Sequence, residues 1–226
     1  MTNTTAPPSK AVLLPEHLFR GYRRFRQARY AEEAALFREL AEGQSPRTMI
    51  IGCADSRVDP ATIFAAAPGE LFVVRNVGAI VPPCDLHHPE TGSFHGTSAA
   101  LEFAVTVLGV SEIVVMGHGS CGGVAAALAA ENAPQGRFIG PWVDLLAPAR
   151  DQLRACGEHL SASERQRTLE HLAVEQSLRH LTTFPFVTDA IDAGRLELHG
   201  AWFSIAEGEL HWLDKESGDF MPVNAS

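Results

Sequence analysis

Short apolar runs alternate with longer amphipathic segments along this chain. Residues 49–51, 71–74 and 113–116 are runs of three or four apolar residues, typical of strands buried on both faces. Turns or loops rich in glycine follow these runs, and apolar residues then recur at helical spacing, as at Leu101, Ala104 and Leu108. This order of strand, turn and helix predicts βαβ units and a parallel sheet.

The two ends of the chain follow other patterns. From residue 15 to about 41, the spacing of Leu18, Tyr22 and Phe25 predicts an amphipathic helix. Its apolar face must pack on a surface, either the chain's own sheet or a partner subunit. Near the other end, residues 196–205 alternate like a strand that Gly208 turns back, and the last residues look like a tail.

We therefore predict an α/β fold with a mostly parallel central sheet flanked by helices. The sheet would have about four parallel strands plus an antiparallel edge strand. Residues 1–41 would form a helical N-terminal arm that packs on its own sheet or a partner subunit. Residues 42–226 would form the main α/β domain, within a single domain overall.

Composition excludes several classes of protein. A formal net charge of −9 argues against a nucleic-acid binder, because such proteins are normally basic. Residues 1–10 are polar with no apolar stretch behind them, and no run is long enough to span a membrane. Four cysteines in 226 residues do not make a disulfide scaffold. The predicted location is the cytoplasm.

The segment 48–60 carries unusual chemistry at the end of the first strand. Gly52 lets the backbone turn, and Asp59 followed by Pro60 is typical of a helix start. Cys53, Asp55 and Arg57 therefore lie on the connection that leaves the carboxyl end of a strand, where open α/β sheets bind their ligands.

A second strand-end loop completes a metal-ligand set. His118 and Cys121 follow the third strand, and their spacing lets one turn aim both side chains at one point. Together with Cys53 they give two thiolates and an imidazole, donors that zinc prefers. Three protein ligands with an exchangeable fourth position are typical of a catalytic site, so we predict one Zn²⁺ per chain.

Asp55 and Arg57 predict a switch at the fourth position. Asp55 could be the fourth ligand, or it could accept a hydrogen bond from a zinc-bound water. Arg57 can pair with this carboxylate through two hydrogen bonds and keep it ionised. With Asp55 drawn away, water would enter as zinc hydroxide, a nucleophile for a small electrophilic carbon.

The paired motifs resemble those of the β-class carbonic anhydrases. They are Cys53-Ala-Asp55-Ser-Arg57 and His118-Gly-Ser-Cys121-Gly-Gly, and further likeness lies in residues 68–70, 72–77, 102–105 and 198–200. The resemblance implies a zinc enzyme that hydrates CO2 to bicarbonate and a proton, built on a mostly parallel sheet. It also implies an obligate homodimer, often paired into a homotetramer, with active sites at the subunit interface.

The resemblance also assigns roles to single residues. Cys53, His118 and Cys121 are similar to the family's zinc ligands, and Asp55 with Arg57 to its dyad. The residues that match its substrate site are Gln44 (which reaches the neighbouring subunit's substrate), the apolar pocket residues Phe72, Val77 and Phe103, and Gly122.

Some members of the family carry a bicarbonate inhibition site made by a tryptophan, an arginine and a tyrosine. Arg75 fits the arginine, but Ile50 replaces the tryptophan and Phe203 replaces the tyrosine. We therefore predict that this regulatory site is absent.

Other functions remain open at this point. Residues 118–122 nearly match the G-x-S-x-G nucleophile elbow, which would make the protein a serine hydrolase with Ser120 as nucleophile, followed by Asp189 and His199. A site permanently closed by Asp55 would be a zinc-stabilised binding module instead. Within the enzyme interpretation, some relatives hydrolyse carbon disulfide or carbonyl sulfide with the same ligands.

Overall fold

The computed structural model describes residues 14–85, 95–129 and 136–224. The strands are β1 (Thr48–Cys53), β2 (Leu71–Asn76), β3 (Glu112–His118), β4 (Glu197–Ser204), β5 (Glu209–Leu213) and β6 (Phe220–Pro222). The helices are α1 (Glu16–Gln27), α2 (Arg29–Glu32), α3 (Ala34–Leu40), α4 (Pro60–Ile63), α5 (His95–Glu102), α6 (Gly122–Ala129), α7 (Ile139–Val143), α8 (Ala147–Cys156), α9 (Ala162–Leu181) and α10 (Pro185–Asp192). Val77–Ala79 and Asp144–Leu146 are short 3-10 turns, and the π-helical segment Phe103–Leu108 continues α5.

The strands form one six-stranded sheet in the order β2-β1-β3-β4-β5-β6. The first four strands in this order are parallel, β5 is antiparallel to β4, and β6 is antiparallel to β5. The predicted α/β fold is confirmed, with one correction. The supposed tail contains β6, whose three residues are too few to show an alternating pattern.

The middle of the parallel sheet is buried on both faces. Met49 and Ile51 pack with Ile113 on one face. Ile50 packs with Val114 on the other. This burial explains why the two strands are continuous apolar runs rather than alternating ones. Because β1 and β3 are neighbours, their carboxyl ends meet at one edge of the sheet.

The N-terminal segment is helical, as predicted, but it is broken into α1, α2 and α3. Ala28 and Glu33 interrupt it, and no residue of the three helices is buried. The rings of Phe25, Tyr30 and Phe37 lie within 5.2 to 6.0 Å of one another. The chain divides into two compact units between Gln44 and Ser45. The division into residues 1–41 and 42–226 stays a prediction.

The predicted irregular loop 80–96 lies largely outside the described residues, because residues 86–94 are not described. Across the described parts of the chain, we find no helix with the length and apolarity that crossing a membrane requires.

Candidate metal centre

The first strand-end loop is fixed by its own side chains and by Arg75 on β2. Asp59 caps α4 by accepting from the Thr62 amide at 3.0 Å, with Pro60 as the first helical residue, as predicted. The Arg75 guanidinium donates to the carbonyls of Cys53 at 2.9 Å, Asp55 at 2.6 Å and Val58 at 3.0 Å. One arginine therefore sets the path of the backbone that carries the candidate catalytic residues.

The second loop leaves β3 through a constrained turn. The Gly119 amide donates to the Phe203 carbonyl of β4 at 2.9 Å. Ser120 has a φ of 55°, a left-handed backbone that non-glycine residues rarely adopt. A Cβ on Gly123 would lie 2.8 Å from Val77 Cγ1, so only glycine lets the start of α6 approach the 3-10 turn after β2. These constraints direct Cys121 toward Cys53.

Glu170 on α9 supports the second loop, a role that was not predicted from the sequence. Its carboxylate accepts from the Cys121 amide at 2.9 Å, from Gln166 Nε2 at 3.1 Å and from Trp202 Nε1 at 3.2 Å. Only 2% of Glu170 is exposed. The signal in the sequence was a glutamate beside Leu169 and Ala173 on the apolar face of a helix, where a carboxylate needs partners.

Cys53, His118 and Cys121 come together at the carboxyl edge of the sheet. All three are buried, their donor atoms lie within 4.8 Å of one another, and the two sulfurs are 3.8 Å apart. His118 Nδ1 lies 2.9 Å from the Gly119 carbonyl, which fixes the tautomer with the lone pair on Nε2. That buried Nε2 has no hydrogen-bond partner. Two sulfurs and an orphaned imidazole nitrogen fit a zinc ion.

The two thiols are electrostatically coupled. A hydrogen bond from Cys121 lowers the pKa of Cys53, and His118 and the amide of Gly78, 3.4 Å from the sulfur, add to this. The Cys53 thiolate in turn raises the pKa of Cys121. Burial alone would lower the pKa of His118, but its interactions with the Cys53 thiolate and the Gly119 carbonyl raise it overall. A pocket that already favours one thiolate also favours a cation.

The predicted pair of Asp55 and Arg57 is present next to these donors. Arg57 Nε donates to Asp55 Oδ1 at 2.9 Å and a terminal nitrogen donates to Oδ2 at 2.7 Å, while the Arg57 amide also reaches Oδ1. These bonds hold the pKa of the Asp55 carboxyl well below its usual range. Asp55 Oδ2 lies 3.9 Å from His118 Nε2, so the carboxylate stands at the edge of the donor cluster.

Comparison with known proteins agrees with this geometry. A family model described as carbonic anhydrase matches residues 48–210. The chain belongs to the β-class carbonic anhydrase family. A carbonic anhydrase of Pseudomonas aeruginosa is 38% identical over 203 residues, which cover 90% of this chain and 89% of that protein. The mitochondrial β carbonic anhydrase 6 of Arabidopsis thaliana is 37% identical over 83% of this chain, which spans 63% of that protein's length.

Solved structures of β carbonic anhydrases share the fold. The enzyme CcaA superposes with a TM-score of 0.85 at 30% identity, covering 92% of this chain and 98% of that one. A β carbonic anhydrase of Sordaria macrospora, one of two described as tetrameric, superposes with a TM-score of 0.78 at 31% identity, covering 88% and 95%.

The residues assigned to the substrate by resemblance to the carbonic anhydrases are scattered in this chain. Phe72 and Phe103 lie together, with ring centroids 6.0 Å apart. Val77 is half-exposed beside Gly123, and the space next to Gly122 is open. Gln44 is exposed and belongs to the N-terminal unit.

The structure does not place His199, the base of the serine hydrolase alternative, at the strand end that carries Ser120. His199 pairs in register with Val114, four positions before His118, which puts it roughly 13 Å from the strand end. Its Nε2 lies 3.7 Å from Glu197 instead. Asp189 belongs to α10. The carbonyl of the left-handed Ser120 accepts a hydrogen bond from the Arg57 guanidinium at 3.1 Å, which ties the turn to the Asp55–Arg57 pair.

Proposed function

We propose that this chain is a zinc-dependent carbonic anhydrase, which catalyses the reversible hydration of CO2 to bicarbonate and a proton. The observation that carries the proposal is the convergence of Cys53, His118 and Cys121 beside an Asp55–Arg57 pair in a chain of this family. Carbon disulfide and carbonyl sulfide are the second substrate class, because the same ligands would serve their hydrolysis.

Cys53, His118 and Cys121 would hold one zinc ion per chain. A zinc ion there supplies Lewis-acid chemistry, lowering the pKa of a water molecule from 15.7 to near 7, less strongly when two thiolates donate charge to it. Glu170 and Arg75 keep the two ligand loops in place through the Cys121 amide and the Cys53 carbonyl.

Asp55 is the gate in this proposal. While Arg57 holds the carboxylate through both oxygens, Asp55 stays ionised and can accept a hydrogen bond from the nucleophilic oxygen, which orients it toward CO2. Away from Arg57, the Asp55 carboxylate could serve as a fourth ligand to an ion held by Cys53, His118 and Cys121, which would close the site. The 3.9 Å between Asp55 Oδ2 and His118 Nε2 supports this short movement.

The substrate pocket would be shared between subunits. Phe72 pairs in register with Met49, four positions before Cys53, so it lies roughly 13 Å from the donors of its own chain. We propose that Phe72 and Phe103 line a partner's site, while Val77 and Gly122 line the chain's own. The role of Gln44 stays a prediction from the sequence.

The assembly would be a homodimer or a dimer of dimers. Leu18, Phe19 and Tyr22 on α1 are each about half exposed, an apolar surface that a partner subunit would cover. The Sordaria macrospora relatives are described as tetrameric, which supports the same proposal. Location in the cytoplasm remains a prediction from the sequence, and so does the absence of bicarbonate regulation.

The test is stopped-flow CO2 hydration with Asp55→Asn, measured alongside zinc content. The amide keeps the size of the side chain but loses its charge, so we expect kcat to fall by about 100-fold or more while zinc is retained. Asp59→Asn is the matched control, because asparagine also caps helices and Asp59 does not touch the donors.

Undiminished turnover in Asp55→Asn would remove Asp55 from the mechanism. A zinc-loaded wild-type protein without CO2 hydration at any pH above neutral would overturn the proposed function. Carbon disulfide or carbonyl sulfide hydrolysis by that same protein would then favour the second substrate class.

A further inference from the structure

A second cluster of donor side chains lies on the hairpin that joins β4 to β5. It comprises Glu207, Glu209 and His211, and one potential ligand atom from each lies within 4.8 Å of the others. None of these residues belongs to the motifs of the first metal centre. We call this group the hairpin cluster.

The hairpin geometry brings the three side chains together. Glu209 and His211 are two apart on β5, so they point to the same face of the sheet. In the register they lie opposite Ser204 and Trp202. The Ser204 hydroxyl donates to Glu207 at 2.7 Å, which turns this residue of the loop back toward the strand.

His211 is the observation that points to a ligand. Only 7% of the residue is exposed, yet neither ring nitrogen has a hydrogen-bond partner. Its Nε2 lies 3.6 Å from Glu209 Oε2, beyond hydrogen-bond length. Burying a polar group without a partner is unfavourable, and a cation between the nitrogen and the carboxylates would remove that cost.

A similar pair on the neighbouring strand provides an internal comparison. Glu197 and His199 on β4 have the same spacing, and their charged atoms lie 3.7 Å apart. Among the described residues, no third donor joins this pair to make a metal-ligand group. The hairpin cluster therefore differs from an ordinary Glu-x-His pair by the carboxylate of Glu207.

A cavity borders the hairpin cluster at Glu207. This cavity, of about 420 Å³, has Trp202, Ser204 and Glu207 in its lining, with Arg57 and Arg167 among its other residues. The two arginines oppose a cation, but the Arg167 guanidinium lies 4.8 Å over the Trp202 ring and the Arg57 guanidinium is held by Asp55. Two carboxylates in the cluster outweigh the residual repulsion.

We propose that Glu207, Glu209 and His211 form a second divalent cation site. One imidazole and two carboxylates, with water in the remaining positions, match Zn²⁺ best among common ions. The site has no thiolate and its two carboxylates are exposed, so it binds zinc more weakly than the cysteine centre does. This proposal does not rest on carbonic anhydrase activity.

The test counts zinc by equilibrium dialysis of the full-length protein whose first centre is already loaded. We expect wild type to take up a second equivalent of Zn²⁺. Glu207→Gln and Glu209→Gln should each lower the affinity for the second zinc ion about tenfold or more, while the first zinc ion stays bound. His199→Asn is the matched control and should bind both.

A second readout reports where the ion binds. The Trp202 and His211 ring centroids are 5.3 Å apart, so Co²⁺ in the hairpin cluster should quench tryptophan fluorescence in wild type and not in Glu207→Gln. A single equivalent in wild type would overturn the proposal. So would a second equivalent that survives both glutamate substitutions or that disappears equally in His199→Asn.

Discussion

The two donor clusters place a buried histidine beside two further ligands by different means. In the first centre, Cys53 is 68 residues from Cys121, and each loop is tied to the fold by hydrogen bonds from outside it. In the hairpin cluster, all three residues lie within five positions, and the carboxylates are exposed. The first centre is fixed in position by the core, whereas the second is formed by one local turn.

This difference in burial and support indicates which of the two sites is suited to catalysis. Donors that are buried and held by other residues keep their positions when a reacting molecule enters. Because these side chains are already ordered, they lose little entropy when the metal ion binds, and they bind it tightly. Donors on an exposed turn must be ordered by the ion itself, which weakens binding. We expect the first centre to keep its metal through purification and the hairpin cluster to exchange it.

The largest effect should come from Cys53→Ser. Replacing the sulfur removes one of the three proposed zinc ligands, so one zinc equivalent and the CO2 hydration activity should both be lost. Elemental analysis and stopped-flow assays would measure this. Cys84→Ser is the control, because Cys84 lies outside both clusters. Equal zinc content in the two variants would contradict the comparison.

A smaller effect should follow from Glu170→Gln. The amide can accept from only one oxygen, so the Cys121 amide, Gln166 and Trp202 compete for it, and the loop loosens. Zinc affinity at the first centre should fall about 10–100-fold, as measured by competition with a chelator.

The control for Glu170→Gln is Glu175→Gln on the same helix. Glu175 is paired with Arg179 at 3.7 Å and does not contact the metal loops, so its substitution should leave zinc affinity unchanged. If both variants retain zinc equally well, Glu170 does not position the loop.

A further effect, independent of zinc, should appear beside the hairpin in the pH dependence of stability. Burial, and then Arg167 and His211, lower the pKa of His171 to about 4. Its ring stacks on Phe220 with the centroids 4.4 Å apart. Since the folded pKa is below the unfolded value of 6.5, the unfolded state binds more protons between these values. Stability should therefore fall as pH falls from about 6.5 to about 4, by up to about 1.4 kcal/mol per pH unit.

His171→Phe removes this titration and keeps a ring against Phe220. Urea unfolding of the variant between these pH values should show a flatter dependence than wild type, while zinc at the first centre is unchanged. Parallel curves for the two proteins would contradict the assignment to His171.

Much of the fold was predictable because its signals are local. The runs 49–51 and 113–116 give strands since both faces of β1 and β3 are covered by apolar side chains. The start of α4 followed from Asp59 and Pro60. The capping box of Ser161 and Glu164 at the start of α9 is a signal of the same local kind. By contrast, the N-terminal helix breaks at Ala28, where the sequence has no glycine or proline that would predict a break.

The candidate site was predictable in its chemistry but not in its supports. Two cysteines and a histidine after two strands indicated zinc, and the spacing of Asp55 and Arg57 indicated their pair. From its position in the sequence, Arg75 was matched to the arginine of a bicarbonate inhibition site that we predicted to be absent. In the structure, the Arg75 guanidinium donates to three loop carbonyls.

The sequence by itself determined most of the strands and helices, the zinc-type donors on each of the two loops and the Asp55–Arg57 pair, because each of these signals depends on residues a few positions apart. Only the tertiary structure decided that Glu170 accepts a hydrogen bond from the amide of Cys121, 49 positions away. It also decided that the ring nitrogens of His211 are buried without a hydrogen-bond partner. Such contacts arise from the packing of α9 and β5 against distant elements. Their free energy depends on burial, which no local pattern of residues specifies.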